Sequence, residues 1–444
     1  MPRASEFSVV LGLGRTGVSV ATYLNAAGHD VLVMDSRDAP PGLAELERIA
    51  GEVAVHTGGF DATRLRGATQ LVVSPGVSLN EPIVQAARAS GIPVLGDIEL
   101  FARAVRAPVI GVTGSNGKST VTTLVERMLV ATGVSVLAGA NLGEPALDLL
   151  RVPVPDFYVL ELSSFQLERT QSLRARAAVV LNVSADHLDR HASMDEYGAA
   201  KGVIYRGCEV AVVNADDAYA ASLATGVERR IEFTLGAPHG ESFGVLAQGA
   251  HATLAHGSTP LIAASELALT GAHNVANVLA AMALCAAVDA PIEATLPAVR
   301  GFRGLPHRMQ LVANSHGVRW IDDSKGTNVG ATVAAVRGLE GSFVLIAGGL
   351  GKGADFQPLA AALQRRARAV VLIGTDAPRI ADALAGSCRV ERATSMEEAV
   401  RRAGDLAEPG DAVLLSPACA SQDMFVDYAD RGDQFARAVR SRIT

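Results

Sequence analysis

Short apolar runs of strand length alternate with segments of helical periodicity along the whole chain. This alternation predicts repeated strand–helix–strand units, in which parallel sheets are covered by helices. The runs fall into three groups, so we predict an α/β protein with three domains. The expected boundaries are residues 1–97, 98–303 and 304–444.

The first group has the layout of a Rossmann-like unit. A strand runs from Ser8 to Leu11, and a glycine-rich turn and a helix start follow at residues 12–17. A second strand ends at Asp35, about 20 residues after the glycines, where a dinucleotide-binding unit carries its ribose-binding carboxylate. A third strand leads into Ser74-Pro75-Gly76. Either a dinucleotide or the diphosphate of a UDP-sugar fits this pattern.

The second group opens with the most informative segment, Val109–Thr120, which combines an apolar strand, a glycine-rich loop and a helix start. In such a loop the backbone N–H groups point at phosphate oxygens, and the helix N-terminus adds partial positive charge. Lys118 can reach the β- and γ-phosphates, and the Ser119 hydroxyl can bind Mg²⁺. Val112 stands where a strict Walker pattern has glycine, and a simple glycine-rich turn is the alternative. We predict a central domain that binds a nucleoside triphosphate and resembles a P-loop ATPase.

Polar residues at the ends of the following strands are candidate metal ligands. Glu161 ends an apolar strand one unit past the phosphate loop, so it is placed either to hold Mg²⁺ or to lie in solvent. Residues 186–191, Asp-His-Leu-Asp-Arg-His, suggest a metal site, for example that of a zinc hydrolase, or else a polar loop. The spacing around Lys201 predicts a lysine on the surface of a helix.

The third group places further polar residues at strand ends, where ligands bind in such sheets. Arg308 can stabilise phosphoryl charge, and Asp323 can bond a ribose. A β meander over residues 236–269 comes before a long apolar helix. The segment that opens this helix, residues 271–277, contains Asn274 and Asn277, and an asparagine there either bonds an adenine edge or caps the helix. Cys419 has no base beside it in the sequence and is predicted to be a small buried residue.

Composition narrows the class of protein. The chain has 444 residues, of which 49% are hydrophobic and 19% charged, so it can bury large cores. A net charge of −7 argues against a nucleic-acid partner. Four scattered cysteines form neither a disulfide framework nor a zinc site. With no apolar leader before the first strand and no run of membrane-spanning length, we expect a soluble cytoplasmic enzyme.

Taken together, the motifs resemble those of the Mur ligase family, the ATP-dependent amide-forming enzymes of peptidoglycan precursor synthesis. The resemblance covers essentially the whole chain and is carried by TGSNGKS, ELSSFQLE, NVSADHLDRH, GAHNVAN, GLPHR, DDSKGTN and SPACAS. The GLGRTG start, the SPG turn, ELSSFQL and DDSKGTN are most similar to the member that joins glutamate to UDP-N-acetylmuramoyl-L-alanine. That activity proceeds through an acyl phosphate, and the three predicted domains suggest a hinge closure that keeps water away from it.

The resemblance implies roles that spacing alone does not give. The UDP moiety would be held by Arg15, Thr16, Asp35, Ser36, Arg37, Ser74 and Gly76. The muramoyl-alanine end would contact Asn141 and His187. ATP would be bound by Gly114, Asn116, Gly117, Lys118, Ser119, Thr120, Asn277, Arg308 and Asp323.

The same resemblance implies two Mg²⁺ ions, with ligands Ser119, Glu161, His187 and Lys201. Lys201 would be carbamylated, which turns a cation into a carboxylate-like group. The residues expected to act directly in catalysis are Lys118, His187, Lys201 and Arg308.

The incoming glutamate would be bound by Lys325, Thr327, Lys352, Ser421, Gln422 and Tyr428. Three positions depart from the usual family pattern: Leu350 replaces an acidic residue, Gln422 a leucine and Tyr428 a phenylalanine. These departures leave D- and L-glutamate both open. We expect small-molecule substrates only, no membrane partner and a monomer. The alternatives are a related ligase such as folylpolyglutamate synthase, an NAD(P)-dependent dehydrogenase fused to a nucleotide-binding module, and a non-catalytic nucleotide sensor.

Overall fold

Three α/β units follow one another along the chain, which confirms the predicted fold class. The structure, a computed structural model, describes residues 7–187, 190–248, 251–269, 271–339 and 341–443. Within these ranges, none of the helices is both long and apolar enough to cross a membrane.

The first unit contains a five-stranded parallel sheet. Its strands in chain order are β1 (Phe7–Leu11), β2 (Asp30–Met34), β3 (Ala54–His56), β4 (Gln70–Val73) and β5 (Val94–Leu95). The helices are α1 (Arg15–Ala26), α2 (Leu43–Ala50), α3 (Pro82–Ala89) and α4 (Asp97–Ala104). The strand order β3-β2-β1-β4-β5 reverses direction at β1. Ligands bind at such a reversal, because the loops after the two neighbouring strands diverge there.

The second unit contains nine strands, in the order β14-β13-β12-β11-β10-β9-β6-β8-β7. They are β6 (Val109–Thr113), β7 (Val136–Ala140), β8 (Phe157–Glu161), β9 (Ala177–Val180), β10 (Val210–Asn214), β11 (Arg229–Phe233), β12 (Phe243–Gln248), β13 (His251–His256) and β14 (Thr259–Ala263). The last three form the predicted antiparallel meander. The helices are α5 (Lys118–Ala131), α6 (Ser164–Leu167), α7 (Met194–Gly202), α8 (Ala218–Ser222), α9 (Ala272–Ala287) and α10 (Ile292–Gly301).

The third unit contains six strands, in the order β15-β16-β20-β17-β18-β19. They are β15 (Gln310–Ser315), β16 (Val318–Asp322), β17 (Phe343–Gly348), β18 (Ala367–Ile373), β19 (Arg389–Arg392) and β20 (Ala412–Leu415). Only the edge strand β15 pairs in antiparallel fashion. The helices are α11 (Val329–Gly338), α12 (Gln357–Leu363), α13 (Ala377–Ala383), α14 (Met396–Leu406) and α15 (Tyr428–Ile443).

The buried apolar residues are not divided evenly among the three units. One continuous cluster runs from Val10 in the first sheet through Ile98 and Phe101 of α4 to Tyr158 in the second. The rings of Phe101 and Tyr158 meet edge to face, with centroids 5.3 Å apart. The two main clusters of the third unit contain buried residues of that unit alone. The first two units therefore share a core that the third does not enter.

Candidate active site

The predicted phosphate loop lies where β6 ends and α5 begins. Gly117 has a φ of +87°, and a Cβ atom there would lie 2.4 Å from Oδ1 of Asn277. Glycine is required at this position, because a side chain would suffer both the left-handed backbone and the contact with α9. Asn277 lies inside α9, whose N-cap is Gly271, so the interpretation of Asn277 as a helix cap is wrong.

Lys118 and Ser119 start α5 and lie against the same loop. The Lys118 ammonium donates to the carbonyl oxygens of Gly114 (2.8 Å) and Ser115 (3.0 Å). Burial lowers the pKa of Lys118, and the nearby carboxylate of Glu161 partly opposes this effect. The guanidinium of Arg308, from the third unit, donates to the Ser119 hydroxyl over 3.0 Å. Loops of two units therefore meet at the phosphate loop.

Glu161 ends β8 beside β6, and its side chain is buried, with 3% of its surface exposed. The interpretation as a solvent-exposed strand-end residue is therefore wrong. One carboxylate oxygen, Oε1, accepts a 2.6 Å hydrogen bond from the Asn141 amide. The other, Oε2, is buried and has no hydrogen-bond partner among the described residues. Since a buried carboxylate oxygen needs a partner, this geometry fits a metal ion.

Lys201 is 1% exposed, so the predicted surface position is wrong. Its ammonium donates to the Gly114 carbonyl over 2.9 Å and lies 4.3 Å from the centroid of the Tyr197 ring. Burial, followed by the positive charge of Lys118, holds the pKa of Lys201 well below its ordinary value. A lysine with a lowered pKa carries a larger fraction of neutral, nucleophilic amine.

The histidine-rich loop after β9 packs beside Lys201. The rings of His187 and Phe165 meet edge to face, with centroids 5.0 Å apart, and the His191 ring stacks on the Phe165 ring, with centroids 5.3 Å apart. Leu188 and Asp189 of the predicted metal motif lie outside the described residues. Among the residues that are described, no three His, Cys, Asp or Glu side chains form a metal-binding group. The motif alone therefore gives no support for a zinc hydrolase there.

A cleft of about 170 Å³ lies between the phosphate loop and the third unit, and residues of both line it. Seven predicted ligand residues line it: Asn116, Gly117, Thr120, Asn277, Arg308, Asp323 and Lys325. Burial, with Arg308 adding to the effect, lowers the pKa of Lys325 to about 8. Burial also lowers the pKa of Arg308. The cleft thus concentrates cations whose desolvation is unfavourable until an anion binds.

Asp323 is the buried acid of this cleft and is 8% exposed. It accepts hydrogen bonds from the Ser416 hydroxyl (2.7 Å) and the Met309 N–H (3.3 Å). Burial nevertheless raises its pKa from 3.8 to about 7. The folded protein therefore resists ionising this carboxyl group below neutral pH.

Asp323→Asn is expected to stabilise the ligand-free protein more at pH 8 than at pH 5. A raised pKa means that folding loses stability as pH rises from about 4 to about 7, and the amide escapes this loss. With a pKa of 3.8 in the unfolded chain and about 7 in the folded protein, the gain in unfolding free energy should be about 3 kcal/mol larger at pH 8 than at pH 5. Urea unfolding of the wild-type protein and of Asp323→Asn at each pH measures this difference. An equal gain at both pH values would contradict the raised pKa.

Only one of the residues predicted to bind glutamate lines this cleft. Lys325 lines the cleft, and its ammonium lies 3.6 Å from the centroid of the Tyr428 ring. Ser421 is 1% exposed, and its hydroxyl has no hydrogen-bond partner among the described residues. The predicted contacts outside the lining of this cleft are Thr327, Lys352, Ser421, Gln422 and Tyr428. Cys419 is fully buried, as predicted.

A second pocket, of about 370 Å³, lies at the reversal point of the first sheet. All seven residues predicted to hold UDP line it: Arg15, Thr16, Asp35, Ser36, Arg37, Ser74 and Gly76. The Asp35 carboxylate accepts from the Leu13 N–H (2.6 Å) and from the Arg37 guanidinium (2.7 and 2.8 Å). Burial alone would raise the pKa of Asp35, but these bonds lower it to about 2.

Several polar residues that the sequence did not single out hold the loops together. Asn182 accepts a 2.9 Å bond from the Asn116 N–H. Asn328, at the N-cap of α11, donates to Asp186 (3.0 Å) and to the Asn116 side chain (3.3 Å) across the cleft. Asn182 and Asn328 both lie within motifs noted in the sequence. The spacing of residues in those motifs does not indicate that the Asn328 side chain bonds residues of another unit.

Comparison with known proteins defines the class. Three domain descriptions match in chain order: the Mur ligase MurD-like N-terminal domain (residues 6–96), the Mur ligase middle domain (112–285) and the Mur ligase glutamate ligase domain (307–419). The chain belongs to the Mur ligase family, a family of ATP-dependent ligases. The interpretation as a dehydrogenase fused to a nucleotide-binding module is therefore not retained.

Two relatives carry the name UDP-N-acetylmuramoylalanine–D-glutamate ligase. That of Nitrosococcus oceani is 55% identical over 441 residues, covering 99% of this chain and 97% of the relative. That of Pseudomonas aeruginosa is 48% identical over 440 residues, covering 98% of both. Among solved structures, the UDP-N-acetylmuramate–alanine ligase of Thermotoga maritima has a TM-score of 0.63 at 19% identity, covering 99% of this chain and all of that one. The last comparison supports the fold.

Proposed function

We propose that this protein joins D-glutamate to UDP-N-acetylmuramoyl-L-alanine at the expense of ATP, in the synthesis of peptidoglycan precursors. Its full-length similarity to ligases of that name supports the substrate assignment. The observation that carries the chemistry is the cationic cleft beside Glu161, which faces a phosphate loop on one side and Arg308 and Lys325 on the other.

The reaction brings two anions together, because the L-alanyl carboxylate attacks the γ-phosphorus of ATP. Lys118 and Arg308 offset the repulsion between them, and the backbone N–H groups of the loop orient the triphosphate. ADP leaves, and an acyl phosphate forms. The glutamate amine then attacks the acyl carbon, and the tetrahedral intermediate collapses to the amide and inorganic phosphate. Loops from two units cover this site and exclude water that would hydrolyse the acyl phosphate.

Ser119, Glu161, His187 and Lys201 are the residues that would hold two Mg²⁺ ions. The unpartnered Oε2 of Glu161 supports the first position. Bound Mg²⁺ would neutralise charge on the phosphates and on the developing acyl phosphate. An ammonium at Lys201 would repel a cation, but its lowered pKa favours the neutral amine, which adds to CO₂ to give a carbamate. Carbamylated Lys201 is therefore part of the proposal.

The UDP moiety is proposed to occupy the pocket around Asp35, and Asn141 and His187 to contact the muramoyl-alanine end. The glutamate would bind through Lys325, Thr327, Lys352, Ser421, Gln422 and Tyr428. The proposed domain boundaries are 1–97, 98–303 and 304–444, and one sheet within each range supports them. A monomer suffices, since one chain supplies every proposed contact. Because ATP and a nucleotide-linked sugar are its proposed substrates, a cytoplasmic location is also part of the proposal.

Phosphate release tests this proposal. We expect release only when ATP, Mg²⁺, UDP-N-acetylmuramoyl-L-alanine and D-glutamate are all present. L-glutamate, tested separately, is expected to give no more than background. Release with L-glutamate alone would replace the D-isomer by the L-isomer, equal release with both would contradict the proposed preference for D-glutamate, and no release with either would rule out the proposed ligation.

A further inference from the structure

The turn Ser74–Val77 forms one wall of the pocket proposed to hold UDP. The Val77 N–H donates to the Ser74 carbonyl over 3.0 Å, which closes the turn. The Ser74 hydroxyl donates to the Gly12 carbonyl over 3.1 Å. These contacts hold the turn against the glycine-rich loop, but they leave its remaining carbonyl groups to be satisfied from elsewhere.

Arg169 of the second unit binds the Val77 carbonyl and also approaches the Ser74 carbonyl. Its Nη2 donates to the Val77 carbonyl over 2.6 Å, and its Nη1 lies 3.4 Å from the Ser74 carbonyl oxygen. The same Nη1 donates to the Phe165 carbonyl over 2.9 Å, within its own segment. The side chain is 1% exposed. A buried guanidinium thus binds backbone oxygens of two units at once.

A second arginine holds the same turn. Arg190 donates from Nη1 to the Gly76 carbonyl and from Nη2 to the Val77 carbonyl, each over 3.3 Å. Its guanidinium lies over the Phe165 ring, 4.8 Å from the centroid. Two guanidinium groups from the second unit therefore bind the carbonyl oxygens of Ser74, Gly76 and Val77.

Arg169 also follows the proposed metal ligand Glu161 closely in the sequence. Glu161 ends β8, and Ser163 and Gln166 cap the following helix α6 through a reciprocal pair of hydrogen bonds. Gln166 donates to the buried Asp97 carboxylate over 3.0 Å, at the start of α4. A short segment of rigid backbone thus connects the phosphate side of the site to the UDP side.

We propose that Arg169 is a positioning residue for the nucleotide-sugar substrate, and this rests on the proposed function of the pocket. It fixes the Ser74–Val77 turn against the segment that follows Glu161, and so sets the distance from the UDP site to the phosphate loop. The planar fork of a guanidinium is required, because a lysine has one nitrogen and cannot reach carbonyls on both sides.

Arg169→Lys tests the inference. We expect the KM for UDP-N-acetylmuramoyl-L-alanine to rise about tenfold, since buried hydrogen bonds to the turn are lost. The KM values for ATP and D-glutamate should stay within about twofold, because their sites do not touch the turn. Calorimetry should show UDP binding weakened by the same factor. The matched control is Arg174→Lys, because Arg174 is exposed and its hydrogen bonds among the described residues go to carbonyls of its own segment, Gln171 and Leu173.

An unchanged KM for the nucleotide sugar, or an equal rise in all three KM values, would overturn the positioning role. If Arg169→Lys does not fold, Arg190→Gln decides, with about a threefold rise expected for the nucleotide sugar alone. No change in that variant would also overturn it. The wild-type protein separates the two proposals. If it neither binds UDP nor releases phosphate, the proposed function is wrong. If the wild type is active and Arg169→Lys has the same KM values, only the positioning role is wrong.

Discussion

Lys118→Ala is expected to abolish ATP-dependent ligation and to leave the protein folded. The ammonium lies within the phosphate loop, bonded to the Gly114 and Ser115 carbonyls, at the place where the β- and γ-phosphates would bind. A charge held in a site that excludes water stabilises a phosphoryl transition state far more than it would in water. Its removal should lower kcat by about a thousandfold. Phosphate release at saturating ATP measures the loss.

Stability should not fall with activity in this variant. Burial lowers the pKa of Lys118, so the charged ammonium is less stable in the folded protein than in the unfolded chain. Alanine removes that unfavourable charge, and the thermal midpoint is expected to stay the same or rise. The matched control is Arg127→Ala, which removes an exposed cation from the same helix and should keep full activity. Normal turnover in Lys118→Ala would rule out the assignment of the phosphate loop.

Lys201→Ala should likewise be inactive, but acetate should partly restore it. The proposed carbamate forms when the neutral amine attacks CO₂, a bond forms between nitrogen and carbon, and a proton is lost. Alanine removes the carboxylate-like group and leaves a space beside Gly114 that a small carboxylate can enter. We expect a loss of about a hundredfold or more, of which acetate recovers a measurable part.

The comparison with Lys118→Ala makes the rescue specific. Acetate supplies an anion, so it should not restore a variant that lacks a cation. Activity assayed over a series of acetate concentrations in both variants distinguishes chemical rescue from a general salt effect. Full activity of Lys201→Ala without acetate would exclude the carbamate.

The strongly patterned parts of the fold could be predicted from the sequence. Apolar strands in the middle of sheets, such as β6 and β17, are buried on both faces and are visible as continuous apolar runs. The edge strands Ala54–His56 and Arg389–Arg392 were not predicted. They are short, and polar or exposed residues interrupt the pattern, because an edge strand is only partly covered.

The residues of the site were predicted from sequence motifs and not from the periodicity of apolar and polar residues. Lys201 shows why: its helix, Met194–Gly202, carries almost no separation of apolar and polar faces, so nothing in the spacing indicates that the lysine is buried. Its burial comes from the Gly114 carbonyl and the Tyr197 ring, which only the assembled fold brings to it. Asn328 shows the same limit, since its partner Asp186 belongs to another unit.

The unequal division of the apolar core determines which part of the molecule can move. Separating the first unit from the second would bring Phe101 and its apolar neighbours into water, which is strongly unfavourable. Hydrogen bonds contribute to the contact between the third unit and the second, among them Arg308 to Ser119 and Asn328 to Asp186. When the two units separate, water can replace the partners in these hydrogen bonds. We therefore expect the first two units to stay together, and the third unit, which adds no buried residue to their common core, to be the one that separates when the cleft opens.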